Sequence, residues 1–198
     1  LTLARWFLDT GGVTDGRGRM AAHIATRGAP VGSDTAPLPT APVPEPGMTP
    51  QGTLLGFAFG QTTAESFAQL AELGALRLTP WRMVLIEGAA PSAPLPDFIT
   101  DARDPRRRVQ VCTGAPGCRQ ALSDTRDAAR AIAAHLSPDS DDTIHISGCA
   151  KGCAHPAPAP VTLTASHDGH FTLIRRGRAG DPPQSAPLTV TQIQDRRL

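Results

Sequence analysis

The four cysteines of the chain fall into two tight pairs, Cys112 and Cys118 with five residues between them, Cys149 and Cys153 with three. Thirty residues separate the pairs. The pattern C-x5-C…C-x3-C has the count and spacing that let four thiolates converge on one iron–sulfur cube. It constrains the fold and chemistry of the chain more than any other feature. Two other uses of four cysteines stay open at this point. Two disulfides would suit an oxidising compartment. Structural zinc would suit C-x2-4-C spacings, for which C-x5-C is wide.

The compartment therefore matters. The opening run LTLARWFLDTGGVTDGRGRM has no long apolar region and no small-residue cleavage site. No stretch approaches the roughly 20 apolar residues that span a bilayer. The expectation is a cytoplasmic protein, where thiols stay reduced and clustered cysteines bind metal more often than they pair. Nineteen basic residues balance 18 acidic ones for a formal charge of +1, which supplies no electrostatic ground for a nucleic-acid or membrane partner. Of the basic residues only Lys151 is a lysine, and it lies between Cys149 and Cys153. With 198 residues, 40% of them hydrophobic, the chain is long enough to bury a core. It starts at Leu1 in helix-like sequence, and the expectation is a C-terminal fragment that lacks an amino-terminal half.

Proline divides the chain. Residues 1–28 carry one short apolar patch (Leu3, Trp6, Phe7, Leu8), too little for a core, and read as the remnant of a preceding domain. Seven prolines between Ala29 and Pro50 exclude helix and central strand, so 29–50 reads as an extended linker of polyproline II character. Residues 51–90 then read as a β-α-β-β unit, half of a ferredoxin-like fold. TLLGFAF is a buried strand. Thr62-x-x-Glu65 is a capping box, and the helix it opens carries Phe67, Leu70 and Ala71 on one face until Gly74. In ALRLT, Leu76 and Leu78 point inward, and Met83–Ile86 follows as a strand.

Residues 91–180 read as an α/β domain that holds the cysteines. Strand 108–111 leads into the first pair, a helix from Asp124 to Leu136 follows, and strand 143–146 leads into the second. If the two strands are parallel neighbours, both cysteine loops leave one sheet edge, where α/β sites lie. Glycines 114, 117, 148 and 152 allow tight turns whose N–H groups can face sulfur. A hairpin turns at Asp168-Gly169, and 181–198 is a Pro-rich tail with a short final helix. The fold class is α+β.

CTGAPGC (112–118) and SGCAKGC (147–153) resemble the cluster signatures of siroheme-dependent nitrite and sulfite reductases. LRLTPWR (76–82), with the preceding LLGFAFGQTTAESFAQLAELG, resembles the ferredoxin-like half-domain that precedes the cluster domain there. The resemblance covers about residues 52–180. It implies a nitrite/sulfite reductase-type fold in which Cys112, Cys118, Cys149 and Cys153 each bind one iron of a [4Fe-4S] cluster. In the reductases the last cysteine, here Cys153, also bridges to siroheme iron.

Sulfite reductases typically carry Asn where this chain has Lys151. The run SGCAKGCAHPAPAP, with RLTPWR, is most similar to the precorrin-3B synthase branch of aerobic cobalamin biosynthesis. That branch is implied to be a monooxygenase: it hydroxylates the tetrapyrrole precorrin-3A with O2 and closes a lactone from a ring acetate. NADH is its formal reductant, and with no G-x-G-x-x-G fingerprint here an external electron donor is expected. Arg77, Arg82 and Lys151 are candidates for substrate carboxylates, each with a solvated or local role as the plainer reading. Trp81 packs on the macrocycle or in a core. His145 and His155 are the nearest ligands by sequence for the further non-heme iron the branch is said to use, against a plain hydrogen-bonding role. Arg106-Arg107-Arg108 docks an acidic donor or forms a solvated face. Two other functions stay open: a siroheme nitrite or sulfite reductase, and an electron-transfer module without enzymatic activity.

Overall fold

The computed structural model describes residues 2–32, 36, 39, 42–137 and 140–196, which fall into two units, residues 1–42 and 43–198. In the first, helix α1 (Thr2–Asp9), a short antiparallel pair β1 (Val13–Thr14) and β2 (Arg17–Gly18), and helix α2 (Met20–Arg27) follow in order. His23 of α2 is buried against the rings of Trp6 and Phe7, at centroid distances of 5.1 and 5.3 Å. Its Nε2 shares a 2.7 Å hydrogen bond with Thr10 Oγ1. Of the expected linker 29–50, residues 33–35, 37, 38, 40 and 41 lie outside the described residues.

In the second unit β4 (Gly52–Phe57), α3 (Ala64–Leu73), β5 (Leu76–Leu78) and β6 (Met83–Glu87) form the β-α-β-β arrangement read from the sequence, with β6 between β4 and β5 and antiparallel to both. Two further strands share the other edge of β4: β3 (Gly47–Thr49) and β7 (Phe98–Ile99). The sheet therefore begins inside the stretch assigned to the linker and ends beyond residue 90. A buried strand must pair the backbone groups on both its edges, and β4 is buried from Gly52 to Gly56. The α3 cap also lies one residue later than expected. Thr63 accepts the Ser66 N–H at 3.0 Å, and Ser66 Oγ donates to Asp97 at 2.6 Å. Leu55, Leu70, Val84, Ile86 and Phe98 make the local core. Ala71 is exposed, and Leu78, at the end of edge strand β5, is 69% exposed rather than inward.

The second sheet runs β12-β11-β10-β9-β8, from β8 (Val109–Val111), β9 (Ile144–Ser147), β10 (Ala159–His167), β11 (His170–Gly177) and β12 (Leu188–Thr189). β8, β9 and β10 are parallel neighbours. The β10–β11 hairpin turns at Asp168-Gly169, where Gly169 has φ 69°. Helix α4 (Thr125–Ala133) joins β8 to β9 and buries Ala128, Ala129, Ile132 and Ala133 on the sheet. The tail 181–198 is not an appendage. Leu188 of β12 and Ile193 of α5 (Val190–Gln194) enter the same core, and α5 is held by a capping box between Thr189 and Gln192. Phe59, from the turn after β4, is buried in this core as well, so the two sheets share packing across the expected boundary at residue 90. Among the described residues no helix is long and apolar enough to cross a membrane.

Candidate functional site

Parallel pairing of β8 and β9 aligns Val111 with Ile146. The Cys112 N–H extends that ladder by donating to the Ile146 carbonyl at 3.3 Å. The two cysteine loops consequently leave the same sheet edge side by side. They are then laced together: the Leu122 N–H donates to the Gly148 carbonyl at 2.8 Å, and the Gly148 N–H donates to Cys112 Sγ at 3.2 Å. Thr125, the first residue of α4 and fully buried, donates to the Cys112 carbonyl at 2.8 Å and lies 3.9 Å from its sulfur. Gly114 has φ 69°, and a Cβ there would fall 2.4 Å from Thr125 Oγ1, so this turn accepts only glycine. In the second loop Ser147 Oγ donates to the Cys149 carbonyl at 2.7 Å.

All four cysteines are free thiols, and all four line one cavity of about 470 Å³, together with Arg119 and Lys151. Cys112, Cys118 and Cys149 are half-buried, whereas Cys153 is exposed. Among the described residues no three His, Cys, Asp or Glu side chains are gathered closely enough to ligate a single ion. A zinc ion needs its sulfurs within about 2.3 Å of one point. Four cysteine sulfurs around one cavity are a soft donor set, of the chemistry that iron–sulfur groups and zinc both take.

A second cavity, of about 280 Å³, shares Cys112 and Cys153 with the first and is walled by Phe59, Gly60, Arg82 and Arg126. Arg82 thus stands at the cysteine edge, as does Lys151 in the first cavity. Arg77 lines neither cavity, and its Nε donates to Glu87 at 2.6 Å on the hairpin. Trp81 is 38% exposed and lines a neighbouring hollow with Pro80, Arg82 and Gln110. The arginine run is committed internally. Arg106 binds Asp104 at 2.6 Å and the Phe98 carbonyl at 2.9 Å, Arg107 lies 3.8 Å from Glu45, and Arg108 donates to the Ser137 carbonyl at 2.6 Å.

His145 is fully buried on the sheet, and neither ring nitrogen has a hydrogen-bond partner among the described residues. Its ring meets His155 edge-on, centroids 5.7 Å apart. Its Cε1 lies 3.4 Å from where a Cβ on Gly152 would stand, so it underlies the second cysteine loop. Burial first, and the neighbouring His155 second, lower its pKa from the usual 6.5 to about 4. Sequence reasoning alone misses Arg126, Thr125 and Phe59. The one signal for Arg126 is a cation placed in the first turn of a helix, next to the cap Asp124, where the macrodipole disfavours it.

The sequence is similar to precorrin-3B synthase of Sinorhizobium sp, 32% identical over 145 residues, which cover 65% of this chain and 31% of that protein. It is also similar to the sulfite reductase [NADPH] hemoprotein beta-component of Xylella fastidiosa, 27% identical over 159 residues, covering 68% of this chain and 28% of that protein. The chain thus spans about a third of the length of the curated relatives it matches. Among solved structures, the Mycobacterium tuberculosis NirA protein aligns with 78% of this chain and 37% of its own, at 20% identity and a TM-score of 0.49. No family model matches the chain. The two relatives bear the names of the two branches that the cysteine motifs resemble, a precorrin-3B synthase and a sulfite reductase.

Proposed function

We propose that Cys112, Cys118, Cys149 and Cys153 hold a [4Fe-4S] cluster, and that this chain is the cluster-bearing part of a cytoplasmic oxidoreductase of the precorrin-3B synthase kind. The observation that carries the reading is the single cavity lined by all four thiols at one sheet edge. Similarity to the Sinorhizobium synthase supports this branch. The reaction is O2-dependent hydroxylation of precorrin-3A with closure of a lactone from a ring acetate, giving precorrin-3B. One oxygen atom enters the macrocycle. The other leaves as water, formed with two protons and two electrons from an external donor. When bound, the cluster supplies one-electron transfer beside the substrate.

The chain's own groups have separate tasks. The Gly148 N–H donates to Cys112 Sγ and stabilises negative charge on that sulfur. Thr125 fixes the Cys112 backbone through its carbonyl. Lys151 and Arg82, at the rims of the two cavities, meet the negative charge of a substrate rich in acetate and propionate groups. Arg77, engaged with Glu87, has no part in this reading. His145 and His155 meet edge-on with ring centroids 5.7 Å apart and carry no task in this reading.

Anaerobic purification with iron and acid-labile sulfide analysis tests the assignment. About four of each per chain are expected for a [4Fe-4S] cluster, and loss of both in Cys149→Ala. Zinc without sulfide would overturn it. The similarity to a sulfite reductase hemoprotein favours one other reading, a siroheme-dependent nitrite or sulfite reductase. Strong siroheme bands in the purified protein would select that reading, and cluster absorption with precorrin-3A turnover the synthase.

A further inference from the structure

Four cations stand at the two cavities beside the cysteines: Arg82, Arg119, Arg126 and Lys151. Between residues 76 and 151 the other arginines each bind a carboxylate or a backbone carbonyl. Arg82, Arg119, Arg126 and Lys151 alone in that span have no such partner among the described residues, and all four line the two cavities at the cysteines. Arg126 is the most unusual of them. Its Nε is buried without a hydrogen-bond partner, a state that costs free energy. The neighbouring carboxylate of Asp124 is occupied by the backbone N–H groups of Arg126 and Asp127. The opposite wall is also held at a cost: Arg82 and Phe59 both adopt φ 58°, in the left-handed region. The Arg82 Cδ lies over Gly60, 3.3 Å from where a Cβ there would stand. One unpaired buried Nε on one wall and left-handed backbone on the other together mark this cavity as a place kept for binding.

We propose that Arg82 and Arg126 are the two arms of a carboxylate-binding site in the cavity beside Cys112 and Cys153, recognising an acidic side group of a polycarboxylate ligand. The proposal rests on the tetrapyrrole reading and adds to it the residues that seat the substrate. Guanidinium suits the task because its planar fork meets both oxygens of one carboxylate.

The test is fluorescence titration of the purified chain with uroporphyrin I, an octacarboxylate macrocycle, and calorimetric titration with tricarballylate as a free carboxylate. Arg126→Gln and Arg82→Gln are each expected to weaken uroporphyrin binding about tenfold or more. Arg126→Lys, which keeps the charge and loses the fork, should fall between, and Arg77→Gln should match wild type. Thermal melts of every variant separate lost binding from lost fold, and the lysine variant carries the argument if glutamine unfolds the chain. Equal binding of uroporphyrin by wild type and both glutamine variants overturns the arginine assignment while leaving the tetrapyrrole reading intact. Arg126-dependent binding of tricarballylate with none of uroporphyrin keeps the carboxylate site and removes the tetrapyrrole. Binding of neither overturns both.

Discussion

The two cysteine loops leave adjacent parallel strands, yet they hold their sulfurs in different ways. In the first, Cys112 is tied at every level. Its N–H continues the β8–β9 ladder, its carbonyl accepts from Thr125, and its sulfur accepts from Gly148. In the second, Cys153 is exposed, and among the described residues no hydrogen bond reaches its sulfur. Cys112 is anchored and Cys153 is presented. A cluster needs both properties: hydrogen bonds to sulfur and burial set its potential, while an open side gives access to a reacting partner.

Breaking the anchor should therefore cost most. Cys112→Ser is expected to drop iron and sulfide to background, and Cys153→Ser to leave a measurable residue of both in anaerobic preparations. Equal loss in the two variants would remove the distinction. Next in size is the glycine that lets the anchor turn. Gly114→Ala must enter the left-handed region and drive a Cβ into Thr125 Oγ1. About 1–2 kcal/mol for the backbone and about 1–3 kcal/mol for the overlap should appear in chemical denaturation. Gly169, at φ 69° with open space around it, isolates the backbone part. Gly169→Ala should cost only about 1–2 kcal/mol.

Much of this contrast is legible in the residues themselves. The cysteine spacing, the flanking strands and Asp168-Gly169 are local signals, each carried by residues within a few positions of one another. The parallel pairing of β8 and β9 follows from the strand–helix–strand order. What escapes is non-local. That Thr125 reaches back to the Cys112 carbonyl, or that Phe59 leaves its own sheet for the other core, depends on three-dimensional packing that no periodicity records. The tail is easily misjudged because prolines at 182 and 183 mark a turn, while Leu188 and Ile193, too few for a pattern, are buried in the core. Arg126 is hidden for a related reason: a single arginine on a helix looks solvated until the cavity beside it is seen.

His145 sharpens the comparison from beneath the presenting loop. Its pKa is lowered to about 4 in the fold, so the unfolded chain takes up the proton first as pH falls. Stability is then full above about 6.5 and lost progressively as pH drops toward 4. The shift corresponds to a loss on the order of 3 kcal/mol. His145→Phe, a ring of similar shape without a titrating nitrogen, should flatten urea-derived stability across that window. An unchanged slope would mean that other groups carry the acid sensitivity.

Thr125 gives the most discriminating effect. Thr125→Val keeps the branched shape and removes the hydroxyl, leaving the Cys112 carbonyl without this donor. A buried hydrogen bond lost in this way costs about 1–3 kcal/mol, less than the Gly114 substitution because nothing is forced apart. If Thr125 only stabilised the fold, the loss would appear in denaturation and nowhere else. The hydroxyl also lies 3.9 Å from the Cys112 sulfur, so the geometry predicts a second readout: the reduction midpoint of the reconstituted cluster should shift to a lower potential, because one polar group near a sulfur has gone. Thr125→Ser, which restores the hydroxyl, should restore the midpoint even if the missing methyl lowers stability. A midpoint that follows stability through the series, and not the hydroxyl, would show that the anchor holds the loop without tuning the sulfur.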